Sequence, residues 1–286
     1  MFYLLLNVIF ASAFTLIIKW VQVRGREDVI TVGAINYIVA AVWTVPEFMN
    51  SEISSEAVSA AWSGGAMGAC YFIAYFFIIH AIRWIGAASA TVIGALSILL
   101  PVGCGIMIWN EQPGAHQIIG IVLATLSLIL ISGRQKSPTE SDGTTETKSW
   151  IRPAVLIVFF LLAGSSRLAQ EAFKHESSAE YRPVFLMTAF AVAAVPSVIL
   201  LFARRRRITK TEFAMGFAMG ASNILQTQFI LYALNRFDGF IVFPVSSAGG
   251  LLLTTLIATG LLSERLDRRK TTGIAVAACA LVLLNS

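Results

Sequence analysis

The sequence predicts an all-α membrane protein of ten transmembrane helices, arranged as two five-helix repeats of opposite orientation. Three observations predict it. The 286 residues are 57% hydrophobic and only 13% charged, with a mean hydropathy of +0.76, whereas a soluble domain carries about 25% charged residues. The apolar residues come in runs without a charge, such as Leu99 to Ile108, Ile118 to Ile131 and Ala154 to Ala163. One hydrophilic stretch near the middle of the chain separates two halves of similar length and pattern. Lipid supplies no hydrogen bonds, so a spanning segment is a helix or part of a closed barrel. The runs do not alternate with period two, which excludes the barrel.

A helix rises about 1.5 Å per residue, so about 20 apolar residues cross the hydrocarbon core. On that rule the helices cover about 2–20, 29–49, 60–83, 86–109, 114–132, 153–174, 181–203, 211–236, 239–262 and 270–285. In the first, Phe2 to Phe10 is apolar and Ala11-Ser12-Ala13 looks like a signal-peptidase site. A signal peptide begins with a basic region, but no basic residue precedes Lys19 and the apolar pattern continues through Ile18. The segment reads as a helix, not a cleaved signal. Pro101 in the fourth helix and Pro244 in the ninth lack a backbone N–H and are expected to bend those helices. Such bends are candidate gates.

Gly133 to Trp150, rich in Ser, Thr, Gly and charge, reads as a flexible linker. It divides the chain into a first repeat, 1–132, and a second, 151–286. A shift of 152 residues superposes Gly64, Met67, Gly68, Ala69 and Ala81 on Gly216, Met219, Gly220, Ala221 and Ala233. With one further residue, Gly86, Glu111, Gly120, Ala124 and Leu128 meet Gly239, Glu264, Gly273, Ala277 and Leu281. Five helices per repeat is an odd number, so the second copy enters the membrane from the opposite side. That is the inverted-repeat plan of many secondary transporters, whose sites lie between the halves near the midplane. Gly64 with Gly68, and Gly216 with Gly220, are small-xxx-small pairs that allow close helix packing.

Two stretches carry a recognisable pattern: Asn110-Glu111-Gln112 followed by Gln117 to Ala124, and Ser263-Glu264-Arg265-Leu266 followed by Gly273 to Ala277. Both resemble the end of the five-helix unit of the drug/metabolite transporter superfamily, specifically its EamA-like family. There a Gly-Glu-Arg turn leads into a last helix with a spaced glycine, and Asn110 and Ser263 stand here for the usual glycine. The resemblance implies ten helices around a central cavity and alternating access. It implies transport of amino acids, metabolites, sugars or drugs, often as export. Glu111 and Glu264 fall at the water boundary, where a carboxylate suits the N-terminus of the helix that follows.

Other classes are poorly served by the sequence. The +5 net charge sits between apolar runs, where membrane topology puts it, and is no nucleic-acid signal. Cys70, Cys104 and Cys279 lie far apart inside apolar runs, with neither metal-ligand spacing nor a disulfide framework. No cofactor and no metal is expected. An intramembrane enzyme would need paired acids or a histidine cluster at one depth, and none is visible among His80, His116, His175 and the acids. A non-transporting receptor or scaffold is the other alternative. The expected partners are a small-molecule substrate and the bilayer, with monomer and homodimer both open.

Polar groups at membrane depth are costly and mark function by default. In the sixth helix Arg167, Glu171 and Lys174 recur at helical spacing, with Gln170 beside them. One reading makes Arg167 and Glu171 a substrate-binding pair, Arg167 gripping an anionic group such as a carboxylate by its planar fork. Glu171 can instead carry a coupling proton, or neutralise Arg167 as a structural ion pair with Lys174 snorkelling to the interface. In the eighth helix Asn223, Gln226 and Thr227 form a polar stripe, and the repeat maps Asn223 and Thr227 onto Tyr71 and Tyr75 of the third. Both stripes are expected to line the cavity, the alternative being interhelical hydrogen bonding. Asn7 and Ser12 of the first helix are weaker substrate-binding candidates, with Asn36 and His80 behind them.

Basic short loops stay in the cytoplasm. Of the 21 lysines and arginines, all but Arg167, Lys174, Arg182 and Arg236 fall in the odd-numbered loops. The expectation is a plasma-membrane protein, of the bacterial inner membrane, with both termini outward. The family habit is the reverse.

Overall fold

The computed structural model describes residues 1–24, 28–52, 54–85, 87–132, 151–261 and 268–285. The linker 133–150, the turn 263–266 with Glu264, Gly86 and the side chain of His80 lie outside the described residues. The described chain is all-helical: α1 Phe2–Arg24, α2 Val29–Phe48, α3 Ser55–Ile85, α4 Ala87–Leu96, α5 Leu99–Met107, α6 Ala115–Ser132, α7 Ile151–Glu176, α8 Arg182–Arg204, α9 Lys210–Leu234, α10 Gly239–Leu261 and α11 Arg268–Asn285, with a 3-10 turn at Ala179–Tyr181. Nine of the expected helices are single elements. The fourth is broken into α4 and α5. Six helices, α1, α2, α3, α7, α8 and α10, contain stretches long and apolar enough to cross a membrane, and shorter apolar stretches cover Val92–Met107 and Ala115–Ile131.

Local chemistry accounts for the ends and the break. Asp28 caps α2 by accepting from the Thr31 N–H at 3.2 Å. Thr209 and Glu212 cap α9 reciprocally, each side chain accepting from the other's backbone N–H, which satisfies two donors that a helix start leaves free. The break between α4 and α5 falls at Ser97 and Ile98, four residues before Pro101. A proline ring displaces the carbonyl four residues earlier and offers it no N–H, so the Ser97 carbonyl accepts from Leu100 at 3.2 Å instead. Pro244 sits near the start of α10, which is continuous. Asn110 has φ 55°, in the left-handed region that glycine enters freely and asparagine more readily than most residues. That is a physical reason for an asparagine where the resembled motif has glycine.

The helices pair across the middle of the chain. α1 packs on α9, and α3 on α7; α2 packs on α9, and α3 on α8; α2 packs on α8, and α6 on α11. The glycines explain how closely. Gly64 and Gly68 of α3 lie against the backbone of α8 at Phe185 and Ala189, and Gly216 and Gly220 of α9 lie against α2 at Val32 and Asn36. Gly120 of α6 faces Leu284 of α11, and Gly273 of α11 faces Ile131 of α6. Each of these contacts has a counterpart with the halves of the chain exchanged.

A side chain at these sites must push the helices apart. A Cβ on Gly68 would stand 2.1 Å from the Ala189 carbonyl oxygen, and one on Gly220 2.7 Å from that of Asn36, whereas a Cβ on Gly260 would meet nothing within 4 Å. Overpacking of this kind costs about 1–3 kcal/mol. Gly68→Val and Gly220→Val are therefore expected to lower the thermal midpoint in detergent, and Gly260→Ala to leave it unchanged.

The burial pattern is that of a membrane protein. Large apolar side chains such as Phe2, Trp62, Ile118, Val122, Ile199 and Val282 are exposed on the outside, while Asn7, Asn36, Gln170, Glu171 and Asn223 are buried inside. Phe173, Phe185, Phe190 and Phe243 fill the core without contact with solvent, the rings of Phe173 and Phe185 lying 4.7 Å apart.

Candidate functional site

The site begins at the broken helix. At the break the Ile98 N–H turns to the Ala95 carbonyl at 3.5 Å instead of to Gly94, and the end of a half-helix is a partial negative charge. Arg167 of α7 reaches into this break. Its Nη1 donates to the Ser97 hydroxyl at 2.7 Å and to the Gly94 carbonyl at 3.4 Å. α7 can come that close because Gly164, one turn earlier, lies against Ser97 and Leu100. Arg167 is half-buried. Its polar partners are neutral, and among the described residues no carboxylate is in ion-pair contact with it.

Next to it on α7, the buried Gln170 amide donates to the Tyr71 hydroxyl at 3.2 Å and to the Met67 sulfur at 3.4 Å. Tyr71 is close enough to the Arg167 guanidinium for the two to interact electrostatically. Tyr75, one turn along α3, turns elsewhere. Its hydroxyl donates to the Val29 carbonyl at 3.0 Å, and its ring lies on Gly33 of α2 and edge-on to Tyr37 at 6.0 Å. Tyr37 in turn donates to the Tyr71 carbonyl at 2.9 Å.

A second polar thread runs through α9. Asn223 donates to the Asn36 side chain of α2 at 3.1 Å, and Gln226 donates to Asn223 at 3.0 Å. Thr227 donates to its own helix, at the Asn223 carbonyl. Asn7 of α1 donates to the Gln226 carbonyl at 2.8 Å and accepts from Ser246 of α10. Ser12 donates to the Gly250 carbonyl at 3.1 Å. Arg167, Gln170 and Tyr71 therefore form one group and Asn7, Asn223 and Gln226 another, with Thr227 interacting with Tyr71 between them. Tyr75 and Ser12 tie helices together.

The structure corrects the reading of Glu171 as the neutraliser of Arg167. Glu171 points to the other end of α7, where Oε1 meets His175 at 3.1 Å and Lys174 at 3.4 Å. It also corrects the reading of Glu111 as a cap for the helix that follows it. Glu111 accepts from Gly239 at 3.0 Å and Phe240 at 3.4 Å, the first N–H groups of α10, and pairs with Lys174 at 2.8 Å. Lys174 reaches a third acid, Asp238, at 3.3 Å. The His175 ring stacks on Trp109 with centroids 4.8 Å apart. Burial pushes the Glu111 carboxyl up, but the Lys174 ammonium, the Gly239 N–H and the Glu171 contact outweigh it and hold the group below the usual carboxylate range.

Paired acids at one depth, which the sequence does not display, are thus present. Ligand atoms of Glu111, Glu171 and His175 lie within 4.8 Å of one another, but the Lys174 ammonium already supplies a cation there. Ser97, Tyr37, Ser246 and Asp238 are further members of these groups that sequence reasoning missed. Only Ser97 had a signal, its position four residues before Pro101. At the same end of the molecule a hollow of about 500 Å³ is lined by Glu47, Asn50, Glu52, Glu180, Arg182 and Tyr232. It contains none of the expected substrate-binding residues.

Comparison with known proteins agrees with this architecture. The model of the EamA-like transporter family matches residues 1–133, the family that the sequence resembles. An uncharacterized protein of Haemophilus influenzae is 24% identical over 289 residues, covering 97% of both chains. A solved crystal structure superposes with a TM-score of 0.72 at 14% identity, covering 99% of this chain and 94% of the other, which shows a shared fold.

Proposed function

We propose, for a chain whose residues 1–133 match the EamA-like transporter family, that it is a secondary transporter of a small solute bearing an anionic group, and that Arg167 holds that group. The family match supports a membrane transporter of the drug/metabolite type. The observation that carries the finer reading is the charge of Arg167 in α7, which among the described residues is hydrogen-bonded to a carbonyl and a hydroxyl and to no carboxylate. An unneutralised guanidinium at membrane depth is costly, and a carboxylate held by its fork removes that cost. Gln170 and Tyr71 stand beside it as neutral hydrogen-bonding groups, and Asn223, Gln226 and Thr227 of α9 and Asn7 of α1 are the further candidates. The reciprocal glycine contacts support an inverted repeat, whose halves rock about the site in alternating access. Pro101, at the broken helix that Arg167 enters, is the better placed of the two candidate gates. Export is the direction that the family resemblance favours.

Growth tests this. Cells expressing the protein are expected to survive higher concentrations of toxic amino-acid analogues than control cells, and cells expressing Arg167→Gln are not. Equal protection by both forms contradicts the assignment of Arg167.

The orientation is part of the same proposal. Arg204 to Arg207 and Lys210 lie between α8 and α9, and short basic loops stay inside, which places both termini outside. In a variant with Cys70, Cys104 and Cys279 replaced, a cysteine introduced at Arg205 is expected to resist a membrane-impermeant reagent in intact cells. Labelling there reverses the orientation.

A further inference from the structure

Glu171 has no contact with solvent. Its Oε1 is met by His175 and Lys174, and its Oε2 has no hydrogen-bond partner. Lys174 is closer to Glu111, at 2.8 Å against 3.4 Å. Glu111 also takes two N–H groups from the start of α10. Ligand oxygens of the two carboxyl groups lie within 4.8 Å of each other. Two buried acids therefore share one ammonium. Glu111 has three donors, and Glu171 has an oxygen with none.

A buried carboxylate oxygen without a donor is costly, and two like charges in contact add repulsion. One proton on Glu171 removes both costs. The protonated group accepts at one oxygen from His175 and Lys174 and donates its O–H to the Glu111 carboxylate. The groups that face Glu171 are Glu111 from the connection between α5 and α6, Lys174 and His175 of α7, and Asp238 before α10, which acts through Lys174 and is itself largely exposed. Among the described residues, α3, α4 and α5 bring no charged group into ion-pair contact with it.

We propose that Glu171 and Glu111 share one proton, and that this proton is the coupling ion of transport. The inference rests on the transporter reading above. The start of α10 and the connection between α5 and α6 close over the end of α7 while the proton is bound. When Glu111 moves away with α10, Glu171 is left with Lys174 and water, and its carboxyl releases the proton to water as a carboxylate forms.

Infrared difference spectroscopy of the purified full chain tests the shared proton. At neutral pH the wild type is expected to show the carbonyl stretch of one protonated carboxyl, which Glu171→Gln removes. Glu111→Gln is expected to remove it too, because Glu171 is then the single acid beside Lys174 and ionises. Lys174→Ala is expected to retain it to higher pH. Absence of the band in the wild type, or its persistence in Glu111→Gln, overturns the shared proton. In proteoliposomes given a radiolabelled mixture of L-amino acids, a pH gradient is expected to accelerate uptake by the wild type and not by Glu171→Gln. Uptake indifferent to the gradient overturns the coupling while the Arg167 assignment stands. No uptake at all overturns the amino-acid reading and the coupling with it, while the band still decides the shared proton.

Discussion

Arg167→Gln is expected to lower the initial rate of solute transport in proteoliposomes by about 100-fold while leaving the protein as stable in detergent as before, or more so. A hydrogen bond to a charged group contributes about 1.5–3 kcal/mol, and 1.4 kcal/mol is about a factor of ten, so loss of a two-pronged grip on a carboxylate removes about two decades. Arg167→Lys keeps the charge but not the planar fork and is expected to fall in between. The stability arm separates the two roles open to a buried arginine. If Arg167 were structural, its removal would break a needed contact. Its contacts are one hydroxyl and one long bond to a carbonyl, and glutamine can still donate to Ser97. Removing an unneutralised charge from the interior then costs the fold nothing. A marked fall in thermal midpoint would make Arg167 a structural cap for the broken helix.

Lys174→Met is expected to have the largest effect on stability. It leaves Glu111 and Glu171 facing each other, with Asp238 nearby and no ammonium among them. Breaking a buried ion pair by removing one partner costs about 3–5 kcal/mol. Adding Glu111→Gln to Lys174→Met removes the stranded carboxylate and is expected to restore most of the loss. A double-mutant cycle on the thermal midpoint in detergent then returns an interaction energy of about 1–3 kcal/mol, the range for residues in one network. Additive losses would mean that Lys174 and Glu111 do not depend on each other.

Much of this architecture was legible in the sequence. Helix number, the break caused by Pro101 and the packing faces of Gly64, Gly68, Gly216 and Gly220 follow from local rules: length of apolar runs, a missing N–H and a missing side chain. The partners of the acids were not legible, because they are set by distant elements. Glu111 meets Gly239, 128 residues away. One error was avoidable. Arg167 lies four residues before Glu171, and Lys174 and His175 lie three and four after it. An acid preceding its base is the favourable order on a helix, and that order is the one the structure adopts. The amide stripe of α9 shows the opposite limit: spacing placed Asn223 and Gln226 on one thread, but not that Asn223 would bind Asn36 of α2.

On this mechanism the solute brings the negative charge that Arg167 lacks. Counterflow in proteoliposomes tests it with one pair of compounds for each solute class: a radiolabelled amino or organic acid, and its methyl ester, which has the same skeleton without the charge. The wild type is expected to exchange at least one such acid and to discriminate against its ester by about 100-fold, and Arg167→Gln to lose the preference. Equal exchange of acid and ester by the wild type, or a preference that survives in Arg167→Gln, would contradict the claim.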